Sequence, residues 1–529
     1  MEGWIVVTGI VILYLVVVLA VGLRASRGES ATLEGYVAGG RNVGIIVLFF
    51  ILGAEIFSSF TFLGAPGAAY NAGVPALYIL AYLSMALIMW WFIGPRIAAL
   101  GRRYGYISQA GLISDRFQSK GMSVTMAIMS VLALVPYLTI QITGVGLLFS
   151  FATEGKVPFW LGSLLAFGVV TAYVFASGLK GIGWTNLLQG VLMVVVAWVM
   201  GLTIVYQLFG SPAEMFTQIE INYPEFLSMP GAGAAWSWTK FGSAILLSVL
   251  GFIMWPHVFM KSYSADSSQS IKRTVVFYPL YALLVIPILF IGFAGIIGIG
   301  PGELERPDQV LLQMAVYVAN LHPVVLGIML AGAIAAAMST GANLAHTAAS
   351  VVVKDLVLPL KTNLPDRSAV KLSRWLVVLI SLVAYIFSLV NSATLVELFL
   401  MSYGIVVQFL PLTYATLYWK RANRAGAFAG TAAGLAVMVF FHFSKITDIE
   451  PGIMGLIANT IVLIAVSLAT PAMPEEHTAK FTASCEELAT AGVAQAAGVQ
   501  NAPLADAAPE PEAAPQPVHR SRLAGENAL

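Results

Sequence analysis

Ser339 and Thr340 stand side by side in LAGAIAAAMSTGANLAHTAAS (330–350), a run built mostly of Ala, Gly and larger apolar residues, with Asn343 and His346 one and two turns later. In hydrocarbon a hydroxyl must find a partner. Adjacent hydroxyls among small residues can lend oxygen ligands to a small hard cation while letting a neighbouring backbone approach closely. Each hydroxyl alone fits equally well the bonding of its own helix's carbonyls or the joining of neighbouring helices. A second candidate is FFILGAEIFSSFTFLGAPGAAY (49–70), which holds Gly53, Glu55, Ser58, Ser59, Thr61 and a GAPG break at 64–67. Pro66 lacks a donor and the glycines favour unwinding, so carbonyls freed there could coordinate an ion; the alternative is a tolerated kink. A carboxylate such as Glu55 at this depth must carry a proton, pair with a base or face water. His257 and Lys261, four residues apart, share one helix face near the cytoplasmic end of their span, where they could gate, or simply pack and snorkel. His346 could serve an inner vestibule, and His322 sits beside Pro323 at an outer end. No His, Cys and carboxylate spacing supports zinc, no glycine-rich loop follows a strand, and no nucleophile elbow occurs.

The elements that must position these groups are membrane helices. Hydrophobic residues make up 59% of the 529 and charged residues 10%, far from the quarter usual in soluble globules. Apolar runs near 3–23, 44–70, 75–95, 122–152, 158–177, 184–209, 240–260, 275–299, 315–352, 373–391, 394–418, 426–442 and 453–470 predict an all-α polytopic protein of about thirteen transmembrane helices. The first run lacks a basic region before it and a cleavage site after it, so it is expected to stay as a helix. With that topology all of the 27 Lys and Arg except Lys156, Lys240, Arg306 and Lys445 fall on one side, which predicts an external N-terminus and a cytoplasmic C-terminus. Two outer loops, Gly210–Thr239 and Pro301–Val310, carry Glu214, Glu220, Glu225, Glu303 and Glu305 and are expected to form short capping helices or gates. Residues 1–470 thus read as one transmembrane domain. Residues 471–529, rich in Ala, Pro, Glu and Gln, read as a disordered cytoplasmic tail too short for an ordinary catalytic domain. Nucleic acid binding has no support in a net charge of +1, and the lone Cys485 excludes an intramolecular disulfide.

Four pieces, GAEIFSSFTFLGAPGAAY (53–70), GLKGIGWTNLLQG (178–190), WPHVFMKSYSADS (255–267) and AAAMSTGANL (335–344), resemble the sodium:solute symporter family in order and spacing. The likeness spans roughly residues 5–470 and implies the inverted-repeat core of the bacterial leucine transporter. It is greatest to the bacterial monocarboxylate permease branch, through the acid in GAEIFSSFTF and the MWPHVFMKSY segment, and smaller to the pantothenate and proline symporters. By this resemblance one sodium ion lies between the carbonyls of Ala54, Phe57 and Ala336 and the hydroxyls of Ser339 and Thr340. Ser58, Ser59, Tyr137, Gln141, Ser248 and Phe252 are the implied solute positions. Two departures stand out. Asn186 occupies a place commonly acidic, which removes a Coulomb attraction for the cation. Glu55 lies one place before the acid of the proline symporter, where this chain has Ile56.

Glu55, Asn186, His257 and Lys261 are therefore the expected coupling or gating residues. The expected activity is secondary active import of pyruvate, lactate, acetate or propionate with sodium, across a bacterial inner membrane. Alternatives are proton-coupled uptake of the same acids, sodium-coupled uptake of pantothenate or proline, and a symporter-like sensor. No cofactor is expected, sodium being a co-substrate. The partners are the organic acid, sodium or protons, and membrane lipid. An intramembrane enzyme built on Glu55 with His257 or His346 lacks a paired constellation.

Overall fold

The computed structural model of the chain describes residues 3–25, 36, 52–53, 57–318, 320–361, 364–390, 393–478 and 481, and every structural statement below concerns these. Their regular elements are helices: α1 (Gly3–Ala25), α2 (Ala65–Ala72), α3 (Tyr78–Met85), α4 (Ile88–Tyr104), α5 (Gln109–Arg116), α6 (Lys120–Ala152), α7 (Phe159–Phe209), α8 (Pro212–Asn222), α9 (Trp238–Phe252), α10 (Pro256–Ser264), α11 (Ser268–Phe277), α12 (Leu280–Gly298), α13 (Pro323–Val351), α14 (Asp366–Val390), α15 (Leu395–Val406), α16 (Phe409–Tyr418), α17 (Arg424–Ser444) and α18 (Pro451–Ala469). Among the described residues ten helices are long and apolar enough to cross a membrane, and eleven when α9 and α10, bent by 41° at their junction, count as one span. Exposed Leu13, Phe92, Leu132, Leu187 and Phe440 face outward from several of these helices. Only lipid would shield such a belt, and the protein is a multi-pass membrane protein.

The expected spans map onto this set with two physical adjustments. α7 merges two of them: its 51 residues would reach about 75 Å, more than twice a hydrocarbon core. The chain divides at Gly178, whose φ of 53° and ψ of −145° suit only a residue without Cβ. Among the described residues, counting α7 as two, α9 with α10 as one, and the segment 57–72 as another brings the spans to about thirteen. The second adjustment concerns the GAPG sequence, which is not where the helix breaks. Phe57 and Ser58 form a bend; a π-turn over Phe60–Gly64 then runs directly into α2. The wider turn accommodates Pro66 in the second helical position, where a missing N–H costs little. The unwinding thus lies before GAPG, nearer the Ser58 and Ser59 hydroxyls. α12 crosses the start of α2 so closely that a Cβ on Gly292 would lie 2.2 Å from the Pro66 carbonyl oxygen.

The centre of the molecule is α13. Every residue from Met329 to Val351 is buried, because α1, α6, α7 and α14 surround it. That explains a helix apolar all round with no polar face. α15 packs on α6 and α9, and α17 pairs with α18. The loop after α7 holds the short α8, and the loop before α13 holds a 3-10 turn at Pro307–Gln309. Beyond α18, residues 475–478 form a helical turn that brings His477 Nε2 to 2.9 Å from the Asp115 carbonyl oxygen, and Phe481 is buried beside Tyr104. Residues 479–480 and 482–529 of the tail lie outside the described residues.

Candidate functional site

The hydroxyl pair on α13 faces the bend at Phe57 and Ser58. Thr340 Oγ1 donates to the Phe57 carbonyl oxygen at 3.2 Å, and Ser339 Oγ donates to the Ala336 carbonyl oxygen at 3.0 Å. Four of the five oxygens expected around an ion therefore sit on two facing backbone stretches, separated by 283 residues in the chain. The fifth, the Ala54 carbonyl, lies outside the described residues. Ser339, Thr340 and Phe57 are all buried, and α7 closes the side through Met193, whose sulfur is 3.9 Å from Ser339 Oγ. The donor set is neutral oxygen, hard and without a carboxylate. That suits a monovalent hard cation bound weakly enough to leave. Among the described residues no group of three or more His, Cys, Asp or Glu could hold a metal.

Beside this pair the bend opens into a small cavity. Ser58, Phe60, Tyr82, Leu83, Tyr137, Phe252, Trp255, His257, Val258, Phe399 and Tyr403 line it. The lining holds no charged side chain besides what His257 could carry. Its walls are aromatic: Tyr137 and Trp255 rings lie 4.9 Å apart, Phe399 and Tyr403 4.8 Å, and Trp255 and Tyr403 5.5 Å. Two buried polar atoms, Ser58 Oγ and His257 Nδ1, have no hydrogen-bond partner among the described residues. Orphaned polar atoms on the wall of a pocket are where a ligand's polar groups would be received.

Of the six expected solute positions, Ser58, Tyr137 and Phe252 line this cavity. Ser59 and Gln141 are instead spent on each other, Ser59 N–H donating to Gln141 Oε1 at 2.9 Å and Ser59 Oγ to the Gln141 carbonyl at 3.3 Å. They fasten the bend to α6. Ser248 is buried one turn before Phe252, off the cavity wall, with its hydroxyl unpartnered. His257 lies on the first turn of α10, where the chain turns at Ile253–Trp255, and lines the cavity from within the bent α9–α10 span instead of from its end. Lys261, one turn on, is half-buried. The aromatic walls contributed by Tyr82, Phe399 and Tyr403 were missed from the sequence. Phe399 and Tyr403 do stand four apart on α15, so they share a face, but nothing in the sequence says which neighbour that face meets.

Asn186 is buried on α7, seven residues before Met193 and thus on nearly the same face, about 10 Å along the axis. Its Oδ1 has no partner among the described residues, while neighbouring Gln189 donates to the Tyr14 hydroxyl at 2.8 Å. Asn343 Nδ2 donates to the Ser339 carbonyl at 3.3 Å, and His346 Nε2 lies 2.9 Å from the Tyr36 carbonyl. His322 caps α13, its Nδ1 accepting from Val324 N–H. Glu55 lies outside the described residues.

A family model described as "Sodium:solute symporter family" matches residues 36–434. An uncharacterised symporter of Bacillus subtilis (strain 168), YhjB, is 30% identical over 87% of this chain and 97% of its own length. The high-affinity proline transporter PutP of the same organism and a sodium/proline symporter of Staphylococcus aureus (strain JH9) are each 24% identical, over 88% and 86% of this chain and 98% and 91% of their own. Among solved structures, a sodium-coupled sialic acid symporter in a substrate-bound outward-open state superposes with a TM-score of 0.74 at 19% identity, covering 89% of this chain and 99% of that one. The nucleobase-cation-symport-1 family transporter Mhp1 superposes with a TM-score of 0.54 at 16% identity, covering 84% and 97%. At these identities the superpositions speak for the fold, which is the inverted-repeat leucine-transporter type.

Proposed function

The chain belongs to the sodium:solute symporter family, a transporter and not an enzyme, and within that family we propose that it imports a small monocarboxylate such as pyruvate, lactate, acetate or propionate with sodium. The observation that carries the reading is the approach of Thr340 Oγ1 to the Phe57 carbonyl, beside Ser339 and Ala336, in direct continuity with a small cavity that begins at Ser58. Sodium held there by neutral oxygens brings a positive charge to the cavity's edge. An acid's carboxylate is then balanced by the ion itself, with Ser58 Oγ and His257 positioned to hydrogen-bond it and the aromatic walls receiving its few carbons. Ion binding draws the bend against α13 and favours the state that accepts solute from outside. The core then rocks to release both within, and no cofactor takes part. The Lys and Arg bias supports a cytoplasmic C-terminus in a bacterial inner membrane, and Ala54 and Glu55 complete the ion and coupling sets in this reading.

A second reading, uptake of a cyclic amino acid such as proline, draws on the relatives so named and on aromatic walls that would stack against a ring. The deciding experiment is uptake of labelled pyruvate, and separately of labelled proline, into proteoliposomes under an imposed sodium gradient, an imposed proton gradient, or neither. Saturable sodium-driven pyruvate uptake, competed by lactate, supports the first reading. Proton-driven uptake alone moves coupling to another group, and sodium-driven proline uptake without pyruvate uptake replaces the first reading with the second.

A further inference from the structure

One buried carboxylate has no part in the ion or solute site. Asp355 lies sixteen residues beyond Ser339, in a π-turn over Val352–Val357 that ends the same helix, and only 2% of it is exposed. Such turns add a residue to the helical repeat and re-aim the side chains within them. Here the effect is to set Asp355 Oδ1 at 2.7 Å from Ser108 Oγ, the residue that caps the start of α5. The Ser108 carbonyl in turn accepts from the Tyr263 hydroxyl at 3.2 Å, and Tyr263 stands at the far end of α10. The main chain at Asp355 is tied separately, its carbonyl accepting from Ser123 Oγ of α6 at 2.9 Å. A single hydrogen-bonded chain thus joins the end of the helix that carries Ser339 and Thr340 to the end of the half-span that carries His257.

α5 braces α10 at both ends. While Ser108 holds Tyr263 at one end, the next residue, Gln109, reaches Met254 in the bend between α9 and α10, with its Nε2 3.6 Å from the sulfur and 3.3 Å from Thr413 Oγ1 of α16. Asp355 Oδ2, by contrast, is buried with no hydrogen-bond partner among the described residues. A carboxylate satisfied on one oxygen only is held less firmly than its burial suggests, and water entering that end of the molecule would complete its hydration.

We propose that Asp355, Ser108 and Tyr263 form an inner latch: it ties the ion-bearing helix α13 to the cavity-lining half-span α10 through α5, and it must part before the cavity opens on the face that carries α5. The proposal rests on the transport reading. Asp355 acts through α5 and α10 and touches neither ion nor solute, so it is a positioning residue.

The test uses the full chain in liposomes with Cys485→Ser, which removes the one native thiol, and Val258→Cys as a reporter on the cavity wall. A membrane-impermeant maleimide is applied to each face in turn. Asp355→Ala and Ser108→Ala are expected to label about three- to tenfold faster than the parent from the α5 face, the size of one lost hydrogen bond, and more slowly from the opposite face. Tyr263→Phe, which removes only a hydroxyl, should move both rates in the same directions, and Ser108→Thr, which keeps one, should restore the parent's. Faster labelling from both faces would mean general loosening and would overturn the latch, as would parental rates in Asp355→Ala and Tyr263→Phe. The parent's response to added sodium is read in the same experiment. A parent indifferent to sodium counts against the sodium reading, while the comparison of variants with parent still decides the latch.

Discussion

Thr340→Val isolates the hydroxyl on which the ion reading turns. Valine keeps the branched shape in a fully buried position, so packing against the bend is retained and the change is the loss of one oxygen. That oxygen donates to the Phe57 carbonyl at 3.2 Å, a neutral bond between α13 and the bend worth about 1 kcal/mol, so the variant should fold with only a small loss of stability. With the ion bound the same oxygen turns its lone pair to the cation, and a contact to a charged group contributes about 1.5–3 kcal/mol. At 1.4 kcal/mol per factor of ten, half-saturation by sodium should move roughly 10- to 150-fold higher. The assay needs no solute: the melting temperature of the purified protein is followed against sodium concentration with potassium as the ionic-strength control, since a ligand bound only by the folded state raises it. Thr340→Ser should restore the parental curve. A Thr340→Val protein with an unchanged sodium midpoint would refute the assignment of Thr340 and Phe57 to the ion.

Asp308, in the loop between α12 and α13, accepts from Arg306 at 3.4 Å and from Leu395 N–H at the start of α15 at 3.3 Å, yet burial outweighs both and pushes its carboxyl up to about 6. A folded-state value above the unfolded one, about 3.9, means that the folded protein holds the proton more firmly. The contribution is complete below about pH 4 and is lost as pH rises through about 6, so thermal stability should fall across that window and Asp308→Asn should flatten the fall. Asn186→Asp introduces a charge roughly 10 Å along α7 from the Ser339 contact, worth about 1–2 kcal/mol at an effective dielectric near 20; the sodium midpoint should drop by about 5- to 25-fold. A rise or no change would separate Asn186 from the ion's path. His257→Leu removes a buried ring whose Nδ1 is unpartnered on the cavity wall, and it should raise the solute KM while leaving the sodium midpoint of melting near parental. A shift in that midpoint equal to the shift in KM would place His257 in the ion site.

The membrane spans were legible because hydrocarbon imposes the same demand on every crossing segment: enough consecutive apolar residues, with each backbone group satisfied inside the helix. That demand is local in sequence, so α1, α6, α12 and α18 could be read directly, and Ser339 and Thr340 stood out as hydroxyls that needed a reason. Family motifs carried the pairing of those hydroxyls with the bend near Phe57; no property of either segment alone states that they meet. Tertiary structure decided where the second span unwinds, because a π-turn absorbs Pro66 and leaves the bend at Phe57 and Ser58. It also decided that Ser59 and Gln141 are consumed by each other, whereas Ser58 and His257 keep their polar atoms for the cavity. The cavity walls join α3, α6, α10 and α15, and Tyr82, Tyr137, Trp255 and Tyr403 resemble any buried aromatic until their helices are placed. Sequence by itself determined a multi-pass helical symporter with a hydroxyl pair at its centre. Which carbonyl those hydroxyls face, which polar atoms remain unspent, and how Asp355 reaches α10 through Ser108 depend on contacts between residues far apart in the chain, and only packing fixes those.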